Sequence, residues 1–356
     1  MTPGDCAVEK FRDLIHSGHN NFQELNNATI VLTGASGFFG TWLLAAFEVL
    51  NRNNLKITVI AVSRNPEHFL KRETRFRALP WLTWKQMDLS HSEDIRHLDV
   101  KCDFIIHAAN ETSPEAHADS CRMLWSTIDS WRNILKIGRA CGCQRILLVS
   151  SGAVYGEIGS NGASESDPAN INFMDPRNSY ALGKQICEQS AAAEQNNSPF
   201  DIVIARCFSF IGPGLPLDQA YAIGNFIRDA ITNNSIRIKS DGSAVRSYLH
   251  MKDLVVWLLT ILVKGARGEA YNVGSERQVT IRELAHLVSE EVGGASKVTI
   301  EGMPSRGVGT NIYYPRIDKA KGLGLSESQD LRNSIIELAQ FAREIVYAAK
   351  SSEHNN

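Results

Sequence analysis

The chain has 356 residues, 43% of them hydrophobic, and a formal net charge of −2. That length and composition suffice for one large or two closely packed domains, while the near-neutral balance argues against a nucleic-acid or membrane-surface partner, which would need a strong basic bias. Seven scattered cysteines, none in a C-x-x-C pair, indicate free thiols in a reducing compartment rather than a metal site or a redox couple.

The first residues, MTPGDCAVEKFRDLIHSGHNNF, contain no apolar run of the signal-peptide kind. The longest apolar stretch, VVWLLTILV (255–263), is too short to span a bilayer. A cytoplasmic protein is expected. Residues 1–27 read as an N-terminal extension with a helix over 7–16. From residue 28, short apolar runs alternate with helical spacing. TIVLT (29–33) precedes a helix through FFGTWLLAAFEVLN, and then come ITVIAV (57–62), LTWKQMD (82–88), DFIIHAA (103–109) and RILLVSS (145–151). A long helix is predicted over 117–140, another over 179–195, then the strand DIVIAR (201–206). Near-continuous apolar strands between helices predict a parallel sheet covered on both faces. The fold class is therefore α/β, a Rossmann-like doubly wound parallel sheet over 28–206. Beyond 207 Gly, Pro and Asp become frequent, with helices expected at 219–232, 252–264 and 280–292 and strands at 236–239 and 270–273. This predicts a smaller C-terminal α/β lobe over 207–345 and a polar tail over 346–356.

TIVLTGASGFFGTWLL is strand, glycine turn, helix, with Gly34, Gly37 and Gly40 spaced G-x-x-G-x-x-G. Gly34 suits the tight turn, Gly37 a close approach to a pyrophosphate, and Gly40 close packing of helix on sheet. The helix N-terminus adds unpaired N–H groups and partial positive charge. Ser36, Phe38 and Phe39 complete this predicted cradle, whose context makes the motif specific. NAD sites carry an acid at the end of the second strand; here stand Ser63 and Arg64. Arg64 suits a 2′-phosphate, which favours NADP over NAD. Asp88, followed by Leu89 after the third strand, is placed either to meet the adenine or to cap a helix.

In YALGK (180–184), Tyr180 and Lys184 are four residues apart, which on a helix is a rise of about 6 Å and nearly one turn. The pair shares a face. A free phenol, with a pKa of about 10, is a poor base, and a neighbouring ammonium, helped by the charge of a bound nicotinamide, lowers it. Tyr180 is thus a candidate acid/base, and Lys184 its partner. Ser151 ends the strand RILLVSS and is placed to hydrogen-bond the same substrate oxygen, with Ser150 pointing to the other side.

Together TGASGFFG, HAAN, SSGAVYG, NSYALGK, RSYLHMKDL and YNVGS resemble the extended short-chain dehydrogenase/reductase family, in its nucleotide-sugar epimerase/dehydratase branch. The resemblance covers about residues 28–325. It implies an N-terminal domain that binds NAD(P), a C-terminal lobe that binds a nucleotide diphosphate sugar, and Ser151, Tyr180 and Lys184 at the catalytic positions. It implies that Ala108 and Ala109 run beside the cofactor and that Asn110 meets the substrate; His107 is better read as a satisfied strand-end histidine. Arg246 matches an arginine that grips the diphosphate, and a guanidinium suits that contact. Arg306 is placed like a second one, without the usual residues after it. Asn225 and Phe226 resemble a segment bordering the nucleotide, and Ser209 stands where an asparagine is usual. Family members often pair as homodimers through the helices over 117–140 and 179–195; Trp125, Ile128 and Trp131 would suit such a face or packing on the sheet.

The residues after Ser151 bear on the reaction. Sugar 4,6-dehydratases of this family carry an acidic pair there, whereas this chain has Gly152 and Ala153, and Glu157 and Glu165 are not at that position. Dehydration is disfavoured on that ground. Small residues at 152 and 153 would leave room for a rotating ketosugar, so a C4 epimerase is expected ahead of an NADP-dependent 4-keto-sugar reductase, with a non-catalytic NADP-binding regulator as the reading from another class.

Overall fold

The computed structural model describes residues 1–16, 22–91, 100–111, 118–219, 221–232, 235–292, 294, 297–303 and 311–353. Seven parallel strands form the central sheet: β1 (Thr29–Thr33), β2 (Thr58–Ser63), β3 (Leu82–Gln86), β4 (Phe104–His107), β5 (Arg145–Ser151), β6 (Asp201–Cys207) and β7 (Ala270–Val273). Their spatial order is β7-β6-β5-β4-β1-β2-β3, and every neighbouring pair is parallel. The order reverses between β1 and β4, which makes the carboxyl ends of those two strands the expected ligand crevice of an open α/β sheet.

Strand alternation divides the core. In β1, Ile30 and Leu32 face one layer and Val31 the other; in β5, Leu147 and Val149 oppose Ile146 and Leu148. The first layer is covered by α2 (Phe38–Arg52) and α7 (Met251–Lys264), and the second by α4 (Ser120–Cys141) and α5 (Ser179–Glu194). Being buried on both faces explains why inner strands such as β1 and β5 read as unbroken apolar runs, whereas the edge strand β3 is partly exposed. The intervening α3 (Pro66–Arg72) has Asn65 as its N-cap, whose side chain accepts from His68 N.

The predicted N-terminal helix is α1 (Pro3–His16), which packs on α2. Gly4 N donates to Glu73, Arg75 bridges Asp5 and Glu48, and Lys10 pairs with Glu337 at 2.8 Å. A separate apolar cluster joins α6 (Ala222–Thr232), α8 (Ile281–Glu291) and the last helix, Leu331–Glu353, through Phe226, Ile227, Leu284, Val288, Ile335 and Leu338. A Thr280–Glu283 capping box starts α8. The parallel strands Ser235–Ile238 and Lys297–Ile300 flank this lobe. Sequence reasoning had no account of the last helix or of the two-residue strands Phe210–Ile211, Val245–Arg246 and Ile312–Tyr313. Among the described residues no helix is long and apolar enough to cross a membrane.

Candidate active site

A cleft of about 2160 Å³ opens over the carboxyl ends of the sheet. Its floor begins where β1 ends. Gly34 has φ +69°, and a Cβ there would lie 2.7 Å from the Ala108 carbonyl oxygen of the neighbouring loop. A side chain at Gly40 would run into Gly34 O and Ala35, so α2 can press on the turn only with glycine there. Gly37 has extended backbone and caps α2 without a side-chain bond, and the first turn of the helix contains no acid. The cradle therefore presents backbone donors and partial positive charge to the cleft. Gly34, Ser36, Gly37, Phe38 and Phe39 line the cleft, and Gly40 does not.

Thr33 ties the two sides of the switch point together. Its hydroxyl lies 2.9 Å from His107 Nδ1 and accepts from Ala109 N at 3.2 Å. Burial, with the Lys184 charge adding to it, holds the His107 imidazole at about 3. His107 is neutral and structural, as read from the sequence. Ala108 and Ala109 stand at the cleft wall. At the end of β2, Ser63 Oγ is 2.7 Å from Ser36 Oγ. Arg64 also lines the cleft, and its Nη1 is 2.5 Å from Glu111 Oε2. Asp88 and Leu89 line it too; Asp88 accepts from Ser90 N and Ser90 Oγ in a local turn, and any helix it would cap lies outside the described residues.

At the end of β5 the Ser151 hydroxyl accepts from Ala153 N at 3.1 Å. Tyr180 hydrogen-bonds Ser151 and Asn110, so three predicted residues meet. Ser150 points the other way and donates to Glu188. Lys184 is 3% exposed, and its Nζ donates to Val149 O at 2.9 Å. Desolvation lowers its pKa, partly offset by Cys187, Cys207 and Glu188. The sequence predicted a phenol at Tyr180 lowered by the Lys184 ammonium together with the charge of a bound nicotinamide. In the structure burial pushes it up to about 12, against the opposing bond from Ser151. The reason is that desolvation dominates while the Lys184 ammonium is directed at the β5 backbone.

The other predicted substrate residues divide. Ser209, Asn225, Phe226 and Arg246 line the cleft. Asn225 is held by Gln219 O and Arg228, and Phe226 is 5% exposed in the lobe core. Arg246 donates to Val245 O and Asn311 O, with its guanidinium 5.9 Å from the Tyr313 ring centre. Arg306 lies outside the described residues. Gly152 and Ala153 do not line the cleft. A Cβ at Gly152 would sit 2.7 Å from the Phe208 ring. The small residue makes room for Phe208, which corrects the expectation of space for a turning sugar. Neither Glu157 nor Glu165 reaches the cleft; Glu165 accepts from Asn272 N.

Two residues were missed. Tyr313 acts on the Ser151 hydroxyl from the strand Ile312–Tyr313, and burial raises its phenol pKa. Glu111 holds Arg64 from the loop after β4. Neither stands in a local motif, so no signal in the sequence marked them. Of the predicted interface residues, Trp125 is 56% exposed, but Trp131 is buried with Nε1 donating to Ser190. It packs on the sheet.

A glycine cradle at the switch point of a doubly wound sheet, with serine, tyrosine and lysine beside it, defines a Rossmann-type protein built for a nicotinamide cofactor. The chain belongs to the NAD dependent epimerase/dehydratase family, whose pattern matches residues 30–274. Curated relatives include UDP-glucuronic acid decarboxylase 1 of Danio rerio, 25% identical over 92% of this chain and 76% of that one, and UDP-glucuronic acid decarboxylase 6 of Arabidopsis thaliana, 26% identical over 74% of each. Similar solved structures include the dTDP-glucose 4,6-dehydratase DesIV of Streptomyces venezuelae with NAD and TYD bound (TM-score 0.76, 22% identity, 89% of this chain and 97% of that one). The UDP-glucose 4-epimerase of Thermotoga maritima with UDP-glucose has a TM-score of 0.74 at 19% identity, over 89% and 99%.

Proposed function

We propose that this chain oxidises the sugar of a nucleotide diphosphate sugar at C4 and restores hydrogen to the opposite face, as a 4-epimerase. The observation that carries the reading is the meeting of Ser151, Tyr180 and Asn110 beside the Gly34–Gly40 cradle. A nicotinamide dinucleotide held at that cradle supplies the hydride acceptor and donor. Ser151 and Tyr180 receive the sugar hydroxyl, and Tyr180 takes its proton as the C–H bond breaks. Lys184 adds a fixed buried positive charge behind the phenol. Arg246, with its capacity for paired phosphate contacts, holds the diphosphate, and Asn225 and Phe226 border the nucleotide. On the return step Tyr180 gives the proton back.

Elimination of water would need an acid and a base beside the sugar, and positions 152 and 153 provide neither. A second reading is favoured by the curated relatives named above, both UDP-glucuronic acid decarboxylases. Oxidising C4 of a sugar acid makes a β-keto acid, which loses carbon dioxide without an added acid–base pair; a protonated phenol such as Tyr313 suits the protonation that follows. Both readings share the first step. A homodimer through the exposed side of α4 and α5, where Trp125 and Ile186 lie open, fits either.

The test is NMR analysis of products from the purified chain with neutral and acidic nucleotide sugars. Inversion at C4 supports the epimerase. Carbon dioxide and a shortened sugar select the second reading, and net consumption of reduced cofactor with a 4-keto-sugar indicates the reductase. A 4-keto-6-deoxy product overturns the argument from Gly152 and Ala153.

A further inference from the structure

A dinucleotide whose pyrophosphate lies at the Gly34–Gly40 turn places its adenosine ribose at the end of β2. β2 itself ends without an acid to hold the 2′- and 3′-hydroxyls. Ser63 is engaged with Ser36 and accepts from Asn65 N. The following Arg64 is the one side chain of β2's end with a charge to offer a 2′-phosphate.

We propose that Glu111, delivered by the loop after β4, selects the cofactor: by holding Arg64 it makes the cleft take NAD in preference to NADP. The inference rests on reading the glycine turn as a dinucleotide cradle.

The geometry supports it in three ways. Glu111 Oε2 is 2.5 Å from Arg64 Nη1, and the carboxylate side chain is only 10% exposed while that of Arg64 is 56% exposed. A nearly buried anion therefore fixes one edge of an otherwise open guanidinium, and its field is little screened. Next, Arg122 of α4 approaches the same oxygen at 3.7 Å, and Asp88 after β3 adds negative charge near Arg64. The two arginines are thus matched by two carboxylates, and the Arg64 charge is already paired. Finally, Arg64, Asp88, Glu111 and Arg122 all line the cleft that holds the cradle. A 2′-phosphate brings a charge of about −1.5 to −2. It would meet Glu111 and Asp88 and would have to share Arg64 with the first of them. A 2′-hydroxyl can donate to a carboxylate and accept from a guanidinium, so it suits the same cluster. Without the Glu111 charge, the Arg64 fork would be released for the bidentate phosphate contact that guanidinium groups make.

The test is titration calorimetry of the full chain with NAD and with NADP, for wild type, Glu111→Gln, Glu111→Ala, and Glu111→Gln combined with Arg64→Met. Wild type is expected to bind NAD at least about ten-fold more tightly than NADP, and either Glu111 variant to move that ratio at least about ten-fold towards NADP. Adding Arg64→Met should erase the gain. Two Glu111 variants of different size are included because a loss of packing common to neither cannot mimic a shared loss of charge. Tighter NADP binding by wild type, or an unchanged ratio in the variants, overturns the proposal. If wild type binds neither dinucleotide, the cradle reading itself fails.

Discussion

Lys184 Nζ donates to the carbonyl oxygen of Val149, 2.9 Å away in the strand that ends at Ser151. The ammonium is thereby anchored to β5 rather than to the Tyr180 phenol one helical turn before it. With burial unopposed by a close cation, Tyr180 stands at about 12. It is protonated at neutral pH; on the proposed reading it can serve as an acid in that state, and as a base only when a further positive charge arrives in the cleft.

This has a measurable sign. Below a raised pKa the phenolate fraction grows about ten-fold per pH unit. Single-turnover oxidation by wild type should therefore accelerate with rising pH, whereas Tyr180→Phe should be slower by about 10²–10⁴-fold and lose that dependence. In the free protein, a tyrosinate difference titration between wild type and Tyr180→Phe should show no ionisation assigned to this residue below a pH of about 10. Ionisation near neutrality without ligand would contradict the burial argument.

Tyr313 and Tyr180 both act on Ser151. Removing the Tyr313 hydroxyl leaves its ring on Phe208, 5.0 Å between centres, so the fold should lose no more than about 1 kcal/mol. Under the decarboxylase reading, Tyr313→Phe should slow the protonation that follows loss of carbon dioxide and cut kcat about ten-fold or more with KM little changed. An unchanged kcat with acidic sugar nucleotides would remove Tyr313 from the chemistry.

Gly152→Ala probes the packing beneath the site. The new methyl would press on the Phe208 ring at 2.7 Å, and overpacking of this kind costs about 1–3 kcal/mol. Chemical denaturation should show that loss, and Phe208→Leu in the same chain should recover part of it. Full stability of the single variant would mean that Phe208 is free to move.

Glu337 joins three helices: Lys10 of α1 is 2.8 Å away, Gln329 donates to it, and the His250 ring at the start of α7 faces it at 3.5 Å. Although burial alone would raise it, its partners, His250 first, hold the carboxyl at about 2, below the usual 4.5. A depressed carboxylate stabilises the fold above its unfolded value and loses that contribution as pH falls from about 4.5 to 2. The shift corresponds to about 3 kcal/mol. Glu337→Gln should be less stable than wild type at neutral pH by up to this amount, and the two should converge near pH 2. A constant difference across that range would place the stabilisation elsewhere.

Much of the architecture was legible because its signals are local. Six of the seven sheet strands were predicted, the inner ones because they are buried on both faces; the seventh, β7, was expected in the C-terminal lobe and instead pairs with β6 at the edge of the sheet; the glycine spacing marked the turn, whose shape depends on adjacent residues. Ser151, Tyr180 and Lys184 were found because a strand end and one helical turn fix their directions. What stayed hidden depends on distant segments. Arg64 looked available for a 2′-phosphate, and only the adjacency of β4 and β2 across β1 brings Glu111 to it. Gly152 suggested open space, and the chain beyond β6 fills it with Phe208. Tyr313 sits on a two-residue strand, too short for any periodicity, and reaches Ser151 only through the tertiary fold.

The most direct test of the central claim is a single-turnover experiment: the chain loaded with oxidised cofactor is mixed with the panel of nucleotide sugars, and the near-ultraviolet absorbance of reduced nicotinamide is followed. The account predicts transient reduction with at least one sugar in wild type and its loss in Tyr180→Phe. No reduction with any sugar, or equal reduction in the two proteins, would contradict it.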